Sequence, residues 1–431
     1  YMFVIAMMIP LPGGFVPLVV LMNKIGLVNT RFGYVLCMIS VGLAMSILIL
    51  KTFFDKLPTD LEDVARIDGC SRLGIWWHVA MPMARPAIAA GVAIVMLATV
   101  NDFGAVDFFA VQTLTTGIFS VWLESNNAGG AAQLSSVVLV LVVLLVTLEK
   151  SSRRKIKFFS LSARHRPVVQ TRLTGLAGWT ATGLCLIPIL VGFVLPVGVI
   201  LSHAMENTDR WRDPELVQAL INTVSVGGIA AVVTVLLGVF LVYGVRLSGK
   251  ALPRLLMPLT TIGYAAPGAV LGVGILIPLA TLDNALADGI EALTGYDIGL
   301  VLTGSAVALV LAYSVRFFAI AQGAADAAMG RISPSLPMAA RSLGRRQGPV
   351  LGQIYAPLIR GSVGSALLLV FVDCVKELPA TLLLRPFNFD TLATRVHEQA
   401  SLENLGDASP AAVLVIAVGL AAVAMLARAN R

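Results

Sequence analysis

Charge is what this sequence has least of. Only 13% of its 431 residues are Asp, Glu, Lys or Arg, against about 25% in a soluble domain. Too little polar surface is present to cover a water-facing globule, which excludes an ordinary soluble enzyme or binding domain. Cysteine is sparse as well: Cys37, Cys70, Cys185 and Cys374 stand far apart and give neither a disulfide framework nor ligand spacing. His78, His165, His203 and His397 are equally scattered, so each reads as a single buried or interfacial residue and no metal site is expected. No Ser/His/Asp constellation and no catalytic carboxylate pair stand out, so no catalytic residues are expected. One stretch, Gly244-Val245-Arg246-Leu247-Ser248-Gly249-Lys250, has phosphate-loop spacing. Ala251 stands where Ser or Thr should hold Mg²⁺, and an apolar run precedes it instead of a strand. The chain is therefore expected to bind no nucleotide.

What fills the sequence instead is apolar. Hydrophobic residues make up 57% of it and its mean hydropathy is +0.88. Runs of about 20 apolar residues recur, each long enough to cross a hydrocarbon core of about 30 Å. Within lipid such runs must be helical, because each backbone N–H and C=O has to be satisfied inside the segment. The expected fold is an all-α integral membrane protein with about ten transmembrane helices. The hydropathy places them near 2–22, 33–52, 86–104, 133–149, 174–202, 221–245, 255–280, 298–321, 361–378 and 409–428. Glycine is common inside these runs, as where membrane helices pack closely, and Gly268 and Gly272 form one small-xxx-small pair.

The formal charge of +7 lies in the loops. Lys and Arg crowd the segments 51–85, 150–172, 246–254 and 331–360. The alternate loop 105–132 has none, and 281–297 holds only the acids Asp283, Asp288, Glu291 and Asp297. The positive-inside rule puts the first set in the cytoplasm. All ten spans obey it, and both chain ends fall inside. The basic residues thus read as orientation signals in a lipid bilayer, and no nucleic-acid partner is expected.

The sequence repeats itself. Asp63-Val64-Ala65, Gly69, Val79 and Met81-Pro82 match Met338-Ala339-Ala340, Gly344, Ile354 and Ala356-Pro357 at one offset, 344 − 69 = 275. The register runs on through Asn101-Asp102 and Lys376-Glu377 to Thr116 and Thr391. Each repeated loop reads as two short helices joined at a glycine, Gly69 or Gly344, where a positive φ is easiest. Thr59 to Glu62 has capping-box spacing after Pro58, and Ser333 with Pro334 starts the second copy. Pro82 and Pro357 are expected to stop the second short helix before the next span. The division expected is a first module over 1–149 with its loop at 53–85, a basic cytoplasmic linker over 150–173, and a second module over 174–431 with its loop at 322–360. The first module then has four spans and the second six.

The spacing Glu-Ala-Ala, three residues, Gly, nine residues, Ile-x-Leu-Pro resembles the signature loop of the permeases of binding-protein-dependent ABC importers. Asp63 and Val64 stand for Glu-Ala in the first copy. Met338 replaces the acid and Ala356 the Leu in the second. In that family the loop lies between the fourth and fifth spans of a six-span core and docks on a cytoplasmic ATPase. The second module matches this plan, whereas the first has two spans before its loop, so two are expected to be missing at its front. From about Ala84 onward the chain is similar to fused ferric-iron importer permeases, through Asn101 to Thr113 and Lys376 to Phe387. Residues 1 to about 80 instead resemble carbohydrate importer permeases, through Phe53-Phe54-Asp55-Lys56-Leu57-Pro58 and Ala65-Arg66-Ile67-Asp68-Gly69-Cys70-Ser71.

The resemblance implies a non-enzymatic inner-membrane transport subunit that moves a periplasmic solute inward by alternating access. Its partners would be a homodimeric ABC ATPase, holding ATP and Mg, and a periplasmic solute-binding protein. No cofactor would sit on this chain. Asp63, Ala65, Gly69 and Pro82, with Ala339, Ala340, Gly344 and Pro357, would couple to the ATPase. A second group, Asn101, Asp102, Asp107, Asp373, Lys376 and Glu377, lies at the outer ends of the spans that follow the loops. Ionisable groups at membrane depth usually face a bundle interior or an aqueous path, so these could line the translocation pathway or its gate. Headgroup-level or purely structural pairing is the alternative for them. Ferric iron leads as solute over a carbohydrate, with thiamine or a polyamine behind. A secondary transporter also carries repeats and intramembrane charge but needs no docking hairpins; a nonfunctional membrane fragment is the remaining alternative.

Overall fold

The computed structural model describes residues 21–27, 30–36, 39, 46–47, 50, 64–154, 175–333 and 335–429. Among these the chain is helical and contains no strand. In chain order the principal helices are α1 (Met81–Asn101), α2 (Gly104–Phe108), α3 (Leu114–Phe119), α4 (Ala128–Arg154), α5 (Gly175–Ile189) and α6 (Leu195–Glu206). There follow α7 (Pro214–Ser248), α8 (Gly268–Thr294), α9 (Val307–Gly330), α10 (Ser335–Ser342), α11 (Ala356–Val375), α12 (Pro379–Leu384), α13 (Leu392–Ser401) and α14 (Leu405–Ala429).

Seven stretches of the described residues are long and apolar enough to cross a bilayer, among them Ala128–Leu148, Gly178–Glu206, Pro214–Ser248 and Gln347–Val375. The expected spans near 2–22 and 33–52 fall largely outside the described residues, as does most of the linker 150–173. The expected span 86–104 is α1, whose apolar part is short.

Two boundaries move. The span expected at 255–280 is Gly268–Thr294, and that expected at 298–321 is Val307–Gly330. Residues 251–265 form short broken turns that end at Ala266 and Pro267, and α8 starts only after them. Hydropathy cannot see this break, because the residues on both sides of Pro267 are apolar. The acids Asp283, Asp288 and Glu291 consequently ride on α8 instead of lying in a loop. Asp283 is buried and ties the following loop down, accepting bonds from the N–H groups of Val301 (3.0 Å), Leu302 (2.9 Å) and Thr303 (2.8 Å) and from the Thr303 hydroxyl (2.8 Å).

The hairpins differ from expectation at the prolines. Arg72–Ile75, a π-helical turn at Trp76–Ala80 and α1 form one continuous helix. The second copy repeats this with Gln347–Val350, a π-turn at Leu351–Tyr355 and α11. Pro82 and Pro357 do not stop the helices. A proline ring clashes with the carbonyl four residues back, and a widened turn just before it relieves that clash.

Small residues make the core. Ala230, Ala231, Ala308, Ala312 and Ala321 are buried in one cluster with Val226, Leu309, Tyr313 and Phe317. A Cβ on Gly238 would lie 3.0 Å from that of Ala321, so α7 and α9 approach at contact distance there. Phe240, Leu236 and Ile229 on α7 stay exposed, as a lipid-facing stripe must. A second cluster joins the N-terminal part to the C-terminal part: Phe103, Ile118, Phe119, Val138 and Val142 pack on Ala269, Val270 and Val273 of α8.

Candidate functional site

The first candidate group is the pair of hairpins. Asp63 lies outside the described residues. The helix that includes Val64 to Ile67 ends in a Schellman motif: Cys70 N–H donates to Ala65 O (2.9 Å) and Gly69 N–H to Arg66 O (3.0 Å). In the second hairpin Arg345 N–H donates to Ala340 O (3.1 Å) and Gly344 N–H to Arg341 O (3.0 Å). Gly69 has φ +80° and Gly344 φ +79°. The alanines at positions 65 and 340 thus supply the terminal carbonyls, and the glycines supply the left-handed turn. Ala65 is buried, Ala340 half-buried, and Ala339 and both glycines are exposed. Ile67, Leu73, Trp77, Met338 and Leu343 present apolar side chains to the outside. The second hairpin is anchored to α7 through the Tyr243 hydroxyl, which donates to Gln347 O, and by an edge-on Tyr243–Tyr355 contact at 5.5 Å.

The second candidate group converges on one cavity of about 530 Å³ between the N-terminal and C-terminal parts. Asn101, Asp102, Asp373, Lys376 and Glu377 all line it. Asp107 stands beside it, its Oδ2 3.8 Å from Nε2 of the lining residue His397. Burial holds His397 below the usual imidazole range, against the pull of Asp107. Burial likewise raises Asp107, against the pull of His397.

Glu377 lies two residues past the end of α11 and is 5% exposed. Its Oε2 meets Nε of Arg316 at 3.0 Å, and its Oε1 accepts the N–H of Ala380 at 3.0 Å at the start of α12. Asp373 and Lys376, one turn apart, pair at 2.7 Å. Arg316 lies nine residues from the start of α9 (316 − 307) and fourteen from its end (330 − 316). It is therefore about 14 Å along an apolar helix, and not at a helix end where headgroups would lie. Gly268 makes room for the pair. A Cβ there would fall 2.6 Å from Glu377 Oε1 and 2.7 Å from Arg316 Nη1. Gly272, one turn on, admits Leu383 of α12 at the same close range. The small-residue pair of α8 is thus the seat of α12 and of the ion pair.

Asp102 is the counterpart of Glu377 at 377 − 102 = 275 and has the same local task. Its Oδ2 accepts the N–H of Val106 (3.1 Å) and so starts α2, as Glu377 starts α12. Beyond this point the register changes. Thr113 and Thr391 are the matching N-caps, each with a full capping box, to Thr116 and to Thr394 respectively. The correct pairing is 391 − 113 = 278, not Thr116 with Thr391. The second copy has one more residue of helix in α12 and two more in the turn that follows. In that longer turn Arg385 bonds Asp390.

Several residues of the site escape the sequence reading. Arg316 carried a signal, being the lone charge between Asp297 and Asp326. His397 carried none, since nothing local says that its ring lies 5.6 Å from Phe103 across the two parts of the chain. Gly244 to Ser248 are the last turn of α7, capped by Gly249 at φ +61°, so the phosphate-loop spacing is a helix end.

Residues 1–158 match the family described as "Binding-protein-dependent transport system inner membrane component". A ferric-transport permease of Haemophilus influenzae, FbpB 2, is 26% identical over 383 residues, covering 86% of this chain and 71% of that protein. The polygalacturonan/rhamnogalacturonan transport permease YtcP of Bacillus subtilis is 34% identical over 88 residues, 20% of this chain and 30% of that protein. Among solved structures, a bacterial alginate ABC transporter in complex with an alginate-bound periplasmic protein has a chain 14% identical, with a TM-score of 0.47. The likeness covers 59% of this chain and 94% of that one. With several helices long and apolar enough to cross a bilayer, the family match over its front third and a transport permease aligned along most of its length, the chain is a multi-pass membrane protein similar to the inner-membrane permeases of ABC importers.

Proposed function

We propose that this permease carries ferric iron inward. The observation behind this reading is the length of the likeness to the ferric-transport permease, which runs over 86% of the chain. The cavity is the translocation site, and Asn101, Asp102, Asp107, Asp373, Lys376 and Glu377 form its wall and gate. The two hairpins, through Asp63, Ala65, Gly69 and Pro82 and through Ala339, Ala340, Gly344 and Pro357, dock a separate homodimeric ATPase that holds ATP and Mg. A periplasmic binding protein delivers the solute, and this chain binds no cofactor of its own. Two modules, 1–149 and 174–431, joined by the basic linker 150–173, move against each other to alternate access.

A carbohydrate is the second reading, supported by the 34% identity over 88 residues to the polygalacturonan/rhamnogalacturonan transport permease. Uptake in a strain lacking its own iron permease separates the two. The chain, with its partner subunits, should restore accumulation of radiolabelled ferric iron and not of oligosaccharides. Sugar uptake without iron uptake would reverse the assignment.

A further inference from the structure

We infer that Asp102 makes the cavity selective for a cationic cargo, an inference that rests on the cavity being the translocation site. Each carboxylate around that space faces a cationic or titratable side chain, with one exception. Arg316 pairs with Glu377 at 3.0 Å, Lys376 with Asp373 at 2.7 Å, and Asp107 faces His397 at 3.8 Å. The Asp102 side chain accepts the backbone N–H of Val106, and among the described residues no side-chain cation stands within ion-pair distance of it. Beside it, the Oδ1 of Asn101 is buried without any hydrogen-bond partner.

The internal repeat shows what is missing on this wall. At the 275-residue offset Lys376 corresponds to Asn101 and Asp373 to Ala98 (376 − 101 and 373 − 98). The acid at the helix end is present in both copies, but the lysine–aspartate pair beside it is present in one. A carboxylate held at membrane depth without a counter-charge is costly, and such a group is normally kept for a partner that comes and goes. An open carboxylate beside an open amide oxygen offers two hard donors to a hard cation and offers a neutral solute no charge complement. No three His, Cys, Asp or Glu side chains converge among the described residues. The cation is therefore held loosely, as a pathway requires if its cargo is to leave again.

The purified chain in lipid nanodiscs should be titrated with Tb³⁺, a hard trivalent probe, with luminescence as readout. Wild type should show saturable binding that ferric nitrilotriacetate displaces. Asp102→Asn should weaken it tenfold or more, while Asp102→Glu, which keeps the carboxylate, should retain it. Asp288→Asn, on an exposed part of α8, should bind as wild type does. No saturable binding in wild type, equal binding by Asp102→Asn, or an equal loss in Asp288→Asn would each overturn the inference. Iron uptake in cells together with any of these results leaves the iron reading standing and removes the role of Asp102. Sugar uptake instead of iron removes the iron reading, and the Tb³⁺ titration still decides the role of Asp102.

Discussion

Gly268 is the residue on which the charged wall of the cavity depends most directly. Its missing Cβ is the space occupied by Glu377 Oε1 and Arg316 Nη1. Gly268→Ala should cost about 1–3 kcal/mol, the usual penalty for overpacking a filled site, and should separate Arg316 from Glu377. A lowered thermal midpoint in detergent, with transport lost, is the expected result. Gly274 on the same helix is the control, since a Cβ there meets nothing within 4 Å, and Gly274→Ala should melt as wild type does. Removing the arginine alone should be worse. Arg316→Gln leaves a buried carboxylate unpaired, and breaking a buried pair in this way costs about 3–5 kcal/mol. Arg316→Gln combined with Glu377→Gln should melt closer to wild type than Arg316→Gln does. Equal melting of the single and double variants would show that the pair contributes nothing to the fold.

Among the elements, the hairpins are tied to geometry more than to side-chain identity. Gly344 is exposed and has open space around it, yet its φ is +79°. A substitution there is therefore strained by backbone conformation and not by collision. Asn tolerates the left-handed region far better than a β-branched residue. Gly344→Asn should keep most of the solute-stimulated ATPase activity of the assembled transporter, and Gly344→Val should lose most of it, with the bilayer-crossing helices melting unchanged in both. If both variants were fully active, the second hairpin would not be the coupling element. The π-turns before Pro82 and Pro357 join each hairpin rigidly to the helix that lines the cavity, α1 in one case and α11 in the other. A push on either hairpin therefore reaches Asp102 or Glu377 along a single helix, with no loop between to absorb it.

At the scale of the whole molecule, two different contacts among the described residues join the N-terminal and C-terminal parts. One is broad and apolar, between α3, α4 and α8. The other is small and polar, where Asp107 and Phe103 meet His397 on α13 at the edge of the cavity. Alternating access needs one seam that opens and one that holds, and the apolar seam is the costlier to part. Spin labels at the exposed residues Leu114, at the start of α3, and Leu402, just past α13, should move apart by several ångström between nucleotide states of the complete transporter. An unchanged distance would mean that this contact is not the gate.

Composition and hydropathy alone were enough for membrane residence and for the all-helical fold, because each follows from what lipid permits along a single segment. The repeat was legible too, since Gly69 and Gly344 need the same left-handed turn and the chain spells that need at a constant offset. The break at Ala266–Pro267, the unbroken passage through Pro82 and Pro357, and the pairing of Thr113 with Thr391 were not legible. Each depends on which backbone groups find partners, and apolar letters look alike on either side. The site divides in the same way. Asp102, Lys376 and Glu377 announced themselves as charges in an apolar setting, while the use of Arg316, His397 and Gly268 was decided only by tertiary structure. Whether a charge at membrane depth is matched or open depends on which helix crosses it, and that distance is not written along the chain.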